Sequence, residues 1–326
     1  MPYTEVKMQP HLITSENLPL WLTVTISTSP IVSHPSTSLI EETIASFSHV
    51  KHLLRCPRMI ICDGYKVRPR SKFRSGEITI DRAAAYEEYK RNLRELSLTA
   101  GSILAGSTVL ELQERNGFGY ALREGIARVT TPYVLVVQHD RNFRANGFRL
   151  LDAVQAMHTH RAWLHYIGLP TSRTIKHRAL VLSKYNVRLA PFTVRVHEPK
   201  FTNTGEEAAI SEKAGRAYSI EKKDTEMRYL HLTPLIQWYD STHLASTLYY
   251  QDFVFSCHVK RVARGGFIED KLGQEQLRVI LERGMSAHVR YGTFILTDES
   301  EEPVVQHLDG HDPRNSKRFV LYKKQT

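Results

Sequence analysis

The alternation of short apolar runs with longer segments of helical spacing across the first 140 residues constrains this chain's fold more than any other feature. Leu20 to Ser27 interleaves apolar residues with Thr and Ser, and after breaks at Pro30 and Pro35 the stretch Leu39 to Leu54 carries helical spacing. Arg58 to Cys62 is a second apolar strand closed by Asp63-Gly64, and a helix rich in Ala and Glu follows from Arg82 to Leu98. Thr108 to Leu112, Tyr120 to Arg128 and Tyr133 to Gln138 continue the series as strand, helix and strand. Strands joined by helical crossovers pair in parallel, so the expected class is α/β: a mostly parallel twisted sheet flanked by helices, with a less regular carboxyl-terminal half.

Past Asp140 the pattern loosens. A helix is expected from Phe148 to His158, with strand-like runs at Trp163 to Ile167 and Ala179 to Leu182. Thr202 to Glu226 reads as an exposed polar excursion, and His243 to Phe255 as a helix with an apolar face. No linker or internal repeat divides the chain, so one domain over residues 1–326 is expected.

With 41% apolar residues the chain can bury a large core, which excludes a disordered tail. No stretch approaches the roughly 20 apolar residues of a membrane helix. Glu5, Lys7, His11 and Glu16 break any signal-peptide pattern, and a soluble cytoplasmic protein is the expectation. Cys56, Cys62 and Cys257 are odd in number and lack metal-type spacing, which argues against a disulfide framework or a zinc knuckle. The formal charge of +10 favours anionic partners without choosing among them. Lys66, Arg68, Arg70, Lys72 and Arg74 would share one side of an extended segment, as a solvated face or as a phosphate-attracting rim.

The strand Tyr133 to Gln138 ends abruptly in Gln138, His139 and Asp140. Ligands of open α/β sheets bind where strands end, and a carboxylate there can hold a metal ion bound to phosphate. Asp63-Gly64 after the second strand suits either a turn or a contact to a base or ribose. Arg115-Asn116-Gly117-Phe118-Gly119 offers amides and a cation at a helix start, as a loop or as a phosphate contact. Glu269 and Asp270, after Gly265-Gly266-Phe267-Ile268, are candidates for a general base or for helix caps. Trp238, Tyr239, Asp240 and His243 mix aromatic faces with hydrogen-bonding groups, as a sugar-binding surface or as core; His139 and His243 also suit packing roles. Near the end, His307, Asp309, His311 and Asp312 cluster, and His307 is the better metal-ligand candidate because Val304 and Val305 lead to it as a strand.

In order and type, the strand Leu22 to Ser29, Asp63-Gly64, Asn116-Gly117, Gln138-His139-Asp140 and Gly266-Phe267-Ile268-Glu269-Asp270 resemble the family 2-like glycosyltransferases of GT-A fold, within the nucleotide-diphospho-sugar transferase superfamily. The resemblance covers residues 20–145 and a patch at 262–275. It implies a nucleotide-sugar-binding half over 1–145 and an acceptor-side half over 146–326, with Asp63, Arg115, Asn116, Gln138, His139 and Asp140 at the donor. It further implies Mn²⁺ or Mg²⁺ on Asp140 and His307, and Asp270 as base with Glu269 second. Trp238, Tyr239, Asp240 and His243 would then face the acceptor, a glycan, glycoprotein or other hydroxyl compound, and transfer would invert the anomeric carbon. Gln138 departs from the family's D-x-D pattern, offering a carbonyl oxygen or an amide donor in place of a charge. A sugar-phosphate nucleotidyltransferase shares the sheet and the metal carboxylate, but Ser27 to Ser33 is not its Gly-rich basic loop. A non-catalytic binder of nucleic acid or acidic polymer would explain the charge, yet no nucleic-acid motif is present.

Overall fold

The computed structural model describes residues 12–145, 147–196, 228–297 and 302–308. Its strands are β1 (Leu22–Thr28), β2 (Arg58–Cys62), β3 (Lys66–Val67), β4 (Glu77–Ile78), β5 (Thr108–Glu111), β6 (Tyr133–Gln138), β7 (Arg141–Phe143), β8 (Tyr166–Gly168), β9 (Phe192–Arg195), β10 (Tyr229–Pro234), β11 (His243–Ser246), β12 (Thr293–Leu296) and β13 (Val305–His307). The helices are α1 (Ser38–Ala45), α2 (Ile80–Leu98), α3 (Gly117–Ile126), α4 (Leu150–Thr159), α5 (His177–Tyr185), the short α6 (Thr247–Tyr249) and α7 (Gln274–Arg283).

Among the described residues, nine strands make one sheet in the order β5-β2-β1-β6-β11-β8-β12-β10-β9. The first four pair in parallel throughout. β11 runs against β6 and β8, and β10 against β12 and β9, while β8 and β12 are parallel. The sheet is therefore mixed but mostly parallel, the α/β architecture that the strand-helix alternation predicts.

Alternate side chains of one strand reach opposite cores. Leu135 and Val137 of β6 join Leu22, Val24 and Ile26 of β1 in a cluster with Tyr86, Tyr89 and Leu93 of α2 and Ala153 and Val154 of α4. Val134 and Val136 point the other way, to Ala121, Leu122 and Ile126 of α3 and Val279 and Ile280 of α7. Burial on both faces is why β6 is a continuous apolar run. The chain moves outward from β1 to β2 and β5, then returns to β6 on the other side of β1. That reversal marks the carboxyl ends of β1, β2 and β6 as the place where an open α/β sheet has its ligand crevice.

Three local expectations are corrected. Ala179 to Leu182 lies inside α5, and His243 to Phe255 begins as β11, inserted between β6 and β8, before turning helical at Thr247. Two sheet partners outweigh the local helical spacing there. The basic stretch is not one extended face: β3 is short, a helical turn occupies Phe73–Ser75, and Gly76 reverses the chain at φ +62°, so the five exposed cations ride a bent excursion. Residues 202–226 lie outside the described residues, as do Asp309, His311 and Asp312.

Candidate functional site

Asp63 stands at the end of β2, 7% exposed, its amide bonded to Thr28 O at 2.9 Å. Its Oδ1 accepts the amides of Gly64 and Asn116 at 2.9 and 2.8 Å, and Oδ2 accepts that of Gly117 at 2.8 Å. Burial pushes its pKa up, against the pull of those three amides and the Arg115 charge. The carboxylate thus pins the start of α3 from another strand. This is the turn-holding reading of Asp63-Gly64, realised across 54 residues.

Three loops meet backbone to backbone at this point. A Cβ on Gly64 would lie 2.3 Å from Glu114 C, and one on Gly117, at φ +75°, would lie 2.5 Å from Gly265 Cα. Gly265 donates to Asn116 O at 2.6 Å, Arg115 Nη2 donates to Gly265 O at 3.1 Å, and Gly119 donates to Gly266 O at 3.2 Å. Arg115 and Asn116 therefore tie the 265–270 segment to the loops after β2 and β5.

At the end of β6, Gln138 Nε2 donates to Asp240 O at 2.9 Å. His139 is 5% exposed, with Nδ1 2.6 Å from Thr28 Oγ1, and its carbonyl accepts from Thr43 Oγ1 at 2.7 Å. It is an anchor of the turn. Asp140 is 4% exposed, with Oδ2 2.9 Å from His307 Nε2. β13 reaches it by pairing antiparallel with β7, which sets His307 opposite Arg141, and Leu308 donates to Asp140 O at 2.9 Å. Burial acts to raise the Asp140 pKa, but the His307 bond and the charges of His139, His307 and Arg141 prevail and hold it well below the usual carboxylate range. Its Oδ1 is buried without a hydrogen-bond partner.

A buried carboxylate oxygen with no partner beside an imidazole is a donor set that suits a hard divalent cation. Among the described residues no three His, Cys, Asp or Glu side chains gather as a metal group. Two protein ligands suffice for an ion that takes its other ligands from water and substrate phosphates.

Across the crevice, Asp240 and Glu269 exchange backbone-to-carboxylate bonds: Glu269 N donates to Asp240 Oδ2 at 3.0 Å, and Asp240 N to Glu269 Oε2 at 3.3 Å. Trp238 Nε1 donates to Asp240 Oδ1 at 2.9 Å. Burial, then the Glu269 charge, push the Asp240 pKa up to about 8. Glu269 is exposed as a residue, but partial burial of its carboxylate end raises its pKa, with Asp270 adding to the rise and the Asp240 amide and the Arg141 charge opposing it. Asp270 is exposed, and its Oδ2 accepts the Phe267 amide at 2.8 Å.

Not every expected residue reaches the crevice surface. Trp238 and His243 are 0% exposed, so sugar contact by either is corrected to a core role. His243 Nδ1 lies 2.6 Å from Ser241 O and its Nε2 2.5 Å from Tyr250 OH, and burial holds its pKa down to about 4. Tyr239 is half-buried, with its hydroxyl 3.4 Å from His177 Nδ1. Sequence reasoning missed Arg141, whose charge acts on both Asp140 and Glu269, and the Gln138–Asp240–Glu269 chain. Only a cation directly after Asp140 signalled the first; nothing local signalled the second.

No protein-family model and no curated protein sequence matches the chain. Among solved structures it is similar to TarS residues 1–349 of S. aureus, at 13% identity over 88% of this chain and 60% of that one, with a TM-score of 0.41. It is similar to the glucosyl-3-phosphoglycerate synthase of Mycobacterium tuberculosis solved with Mn²⁺ and uridine diphosphate, at 12% identity over 85% of this chain and 70% of that one, TM-score 0.35. A third is the mannosyltransferase PcManGT of Pyrobaculum calidifontis solved with GDP-mannose and Mn²⁺, at 15% identity over 45% of this chain and 34% of that one, TM-score 0.29. The chain spans about a third of that mannosyltransferase and three fifths of the TarS fragment.

Proposed function

We propose that this chain is a glycosyltransferase that moves a sugar from a nucleoside-diphosphate sugar to an acceptor hydroxyl with inversion at the anomeric carbon. The observation that carries the reading is the gathering, around one switch-point crevice, of the Asp140–His307 pair with its unpartnered carboxylate oxygen and the Asp240–Glu269–Asp270 acids.

Asp63 acts by fixing the 115–117 loop, whose amides and Arg115 shape the donor side. Asp140 and His307 would hold Mn²⁺ or Mg²⁺, which when bound neutralises charge on a nucleoside diphosphate leaving group. Gln138 contributes no charge and instead ties β6 to Asp240. Asp270, oriented by the Phe267 amide and open to solvent, takes the proton of the acceptor hydroxyl. Glu269 and the buried Asp240 position that segment, and the half-buried Tyr239 borders the acceptor, a glycan, glycoprotein or other hydroxyl compound.

The test is turnover and binding on the full chain with a panel of nucleotide sugars and Mn²⁺. Asp270→Asn should lose transfer by about 100-fold or more while binding the nucleoside diphosphate as the parent does. Parental turnover in that variant removes Asp270 from the role, and release of pyrophosphate from a nucleoside triphosphate by the parent would reassign the chain to nucleotidyl transfer.

A further inference from the structure

A cavity of about 480 Å³ opens beside α5, walled also by β10 and β12, and none of the crevice residues lines it. Its size is that of small-molecule pockets, which run roughly 300–1,000 Å³. Leu182, Leu189 and Ile295 give it apolar walls, and Leu182 is 43% exposed at its edge. Lys176, Arg178 and Arg188 also line it, against Glu302 as the one acid among its described lining residues. Arg178 Nε is turned onto Leu189 O at 3.3 Å, while Lys176 and Arg188 are exposed.

His177 supplies a second, independent sign of a ligand. It lines the same cavity, is 3% exposed, and its Nε2 has no hydrogen-bond partner of normal geometry. Burial holds its pKa down to about 4, against the pull of the Pro234 carbonyl, so near neutral pH the ring is an uncharged donor or acceptor. The Pro234 carbonyl gives the ring only a poorly formed hydrogen bond, so Nε2 gains from a ligand atom of better geometry.

We propose that this cavity is a second ligand site, for an amphipathic anion whose apolar body packs on Leu182, Leu189 and Ile295, whose phosphate or carboxylate head meets Lys176 and Arg188, and whose polar atom reaches His177 Nε2. The site stands apart from the crevice yet touches its supports. His177 faces the Tyr239 hydroxyl next to Asp240, and the Pro170 carbonyl in the cavity wall accepts the amides of Val304 and Val305, which lead to His307.

Calorimetric titration of the full chain tests this with octyl phosphate below its micelle concentration, phenyl phosphate, octyl glucoside and inorganic phosphate. At least one organic phosphate should bind ten-fold or more tightly than both octyl glucoside and inorganic phosphate. Preference for octyl phosphate supports a lipid phosphate as the natural source, and preference for phenyl phosphate a soluble ester. Arg188→Glu and Lys176→Glu, at exposed positions, should lower that affinity at least ten-fold with an unchanged melting temperature, and Leu182→Ser should lower it for the octyl compound. Equal binding of octyl glucoside removes the anionic head from the proposal, equal binding of inorganic phosphate removes the apolar body, and undiminished affinity in both charge-reversed variants overturns the site.

Discussion

Asp140 and Asp240 are both buried carboxylates at the crevice, and their neighbours drive them in opposite directions. His307, His139 and Arg141 keep Asp140 ionised, whereas burial and Glu269 keep Asp240 protonated to about pH 8. The first is therefore suited to a cation and the second to holding Glu269 in place. If Asp140 carries the metal, Mn²⁺ added with uridine diphosphate should raise the parent's melting temperature, and Asp140→Asn should cut that Mn²⁺-dependent rise to near zero. A rise as large as the parent's would sink the assignment. The identity of Asp140 as a strand-end carboxylate was legible in the sequence, because an apolar run that ends in polar residues is a local signal. Its pairing with His307 joins residues 167 apart; the family resemblance implies it, but no local signal beyond the short strand leading to His307 does.

Elements rather than single residues set how closely the crevice loops approach. The start of α3 is held by Asp63 and lies so near Gly265 that Gly117 admits no side chain, and its φ of +75° disfavours any L residue as well. Gly117→Ala should destabilise the fold by about 1–3 kcal/mol and weaken nucleotide binding together, read by chemical denaturation and titration. An unchanged midpoint would show that the loop contact is dispensable. Strand and helix existence in the first half followed from periodicity, and β6 matches its expected span, Tyr133–Gln138. β11 and α5 were misread because their state depends on sheet partners and on packing, which an isolated window does not contain.

Across the whole molecule, buried ionisable groups give stability a definite pH profile. His177 and His243 have folded pKa values lowered to about 4 from 6.5, so the unfolded chain binds more protons between those values and stability falls as pH drops through that window. Asp240 is raised to about 8 from 3.8, so the folded chain binds the extra proton and stability falls as pH rises toward 8. Between pH 4 and 6.5 the lowered histidines, with His165 and His288 acting in the same sense as His177 and His243, outweigh the raised acids Asp240, Asp63 and Glu269, and toward pH 8 the loss of the Asp240 proton dominates. The melting temperature should therefore peak near pH 6.5, with the alkaline fall flattened in Asp240→Asn; a steady rise to pH 8.5 in the parent would contradict the Asp240 environment. Because one sheet carries cores on both faces, we further propose a single domain, for which far-ultraviolet dichroism and tryptophan fluorescence should report one coincident thermal transition. What the sequence by itself determined is the parallel α/β half and the strand-end acids, since apolar period and turn residues act over a few neighbours. Only the tertiary structure decided that His307 meets Asp140, that Asp240 pairs with Glu269, and that Trp238 and His243 are core, because those outcomes rest on contacts between distant segments and on the burial they create.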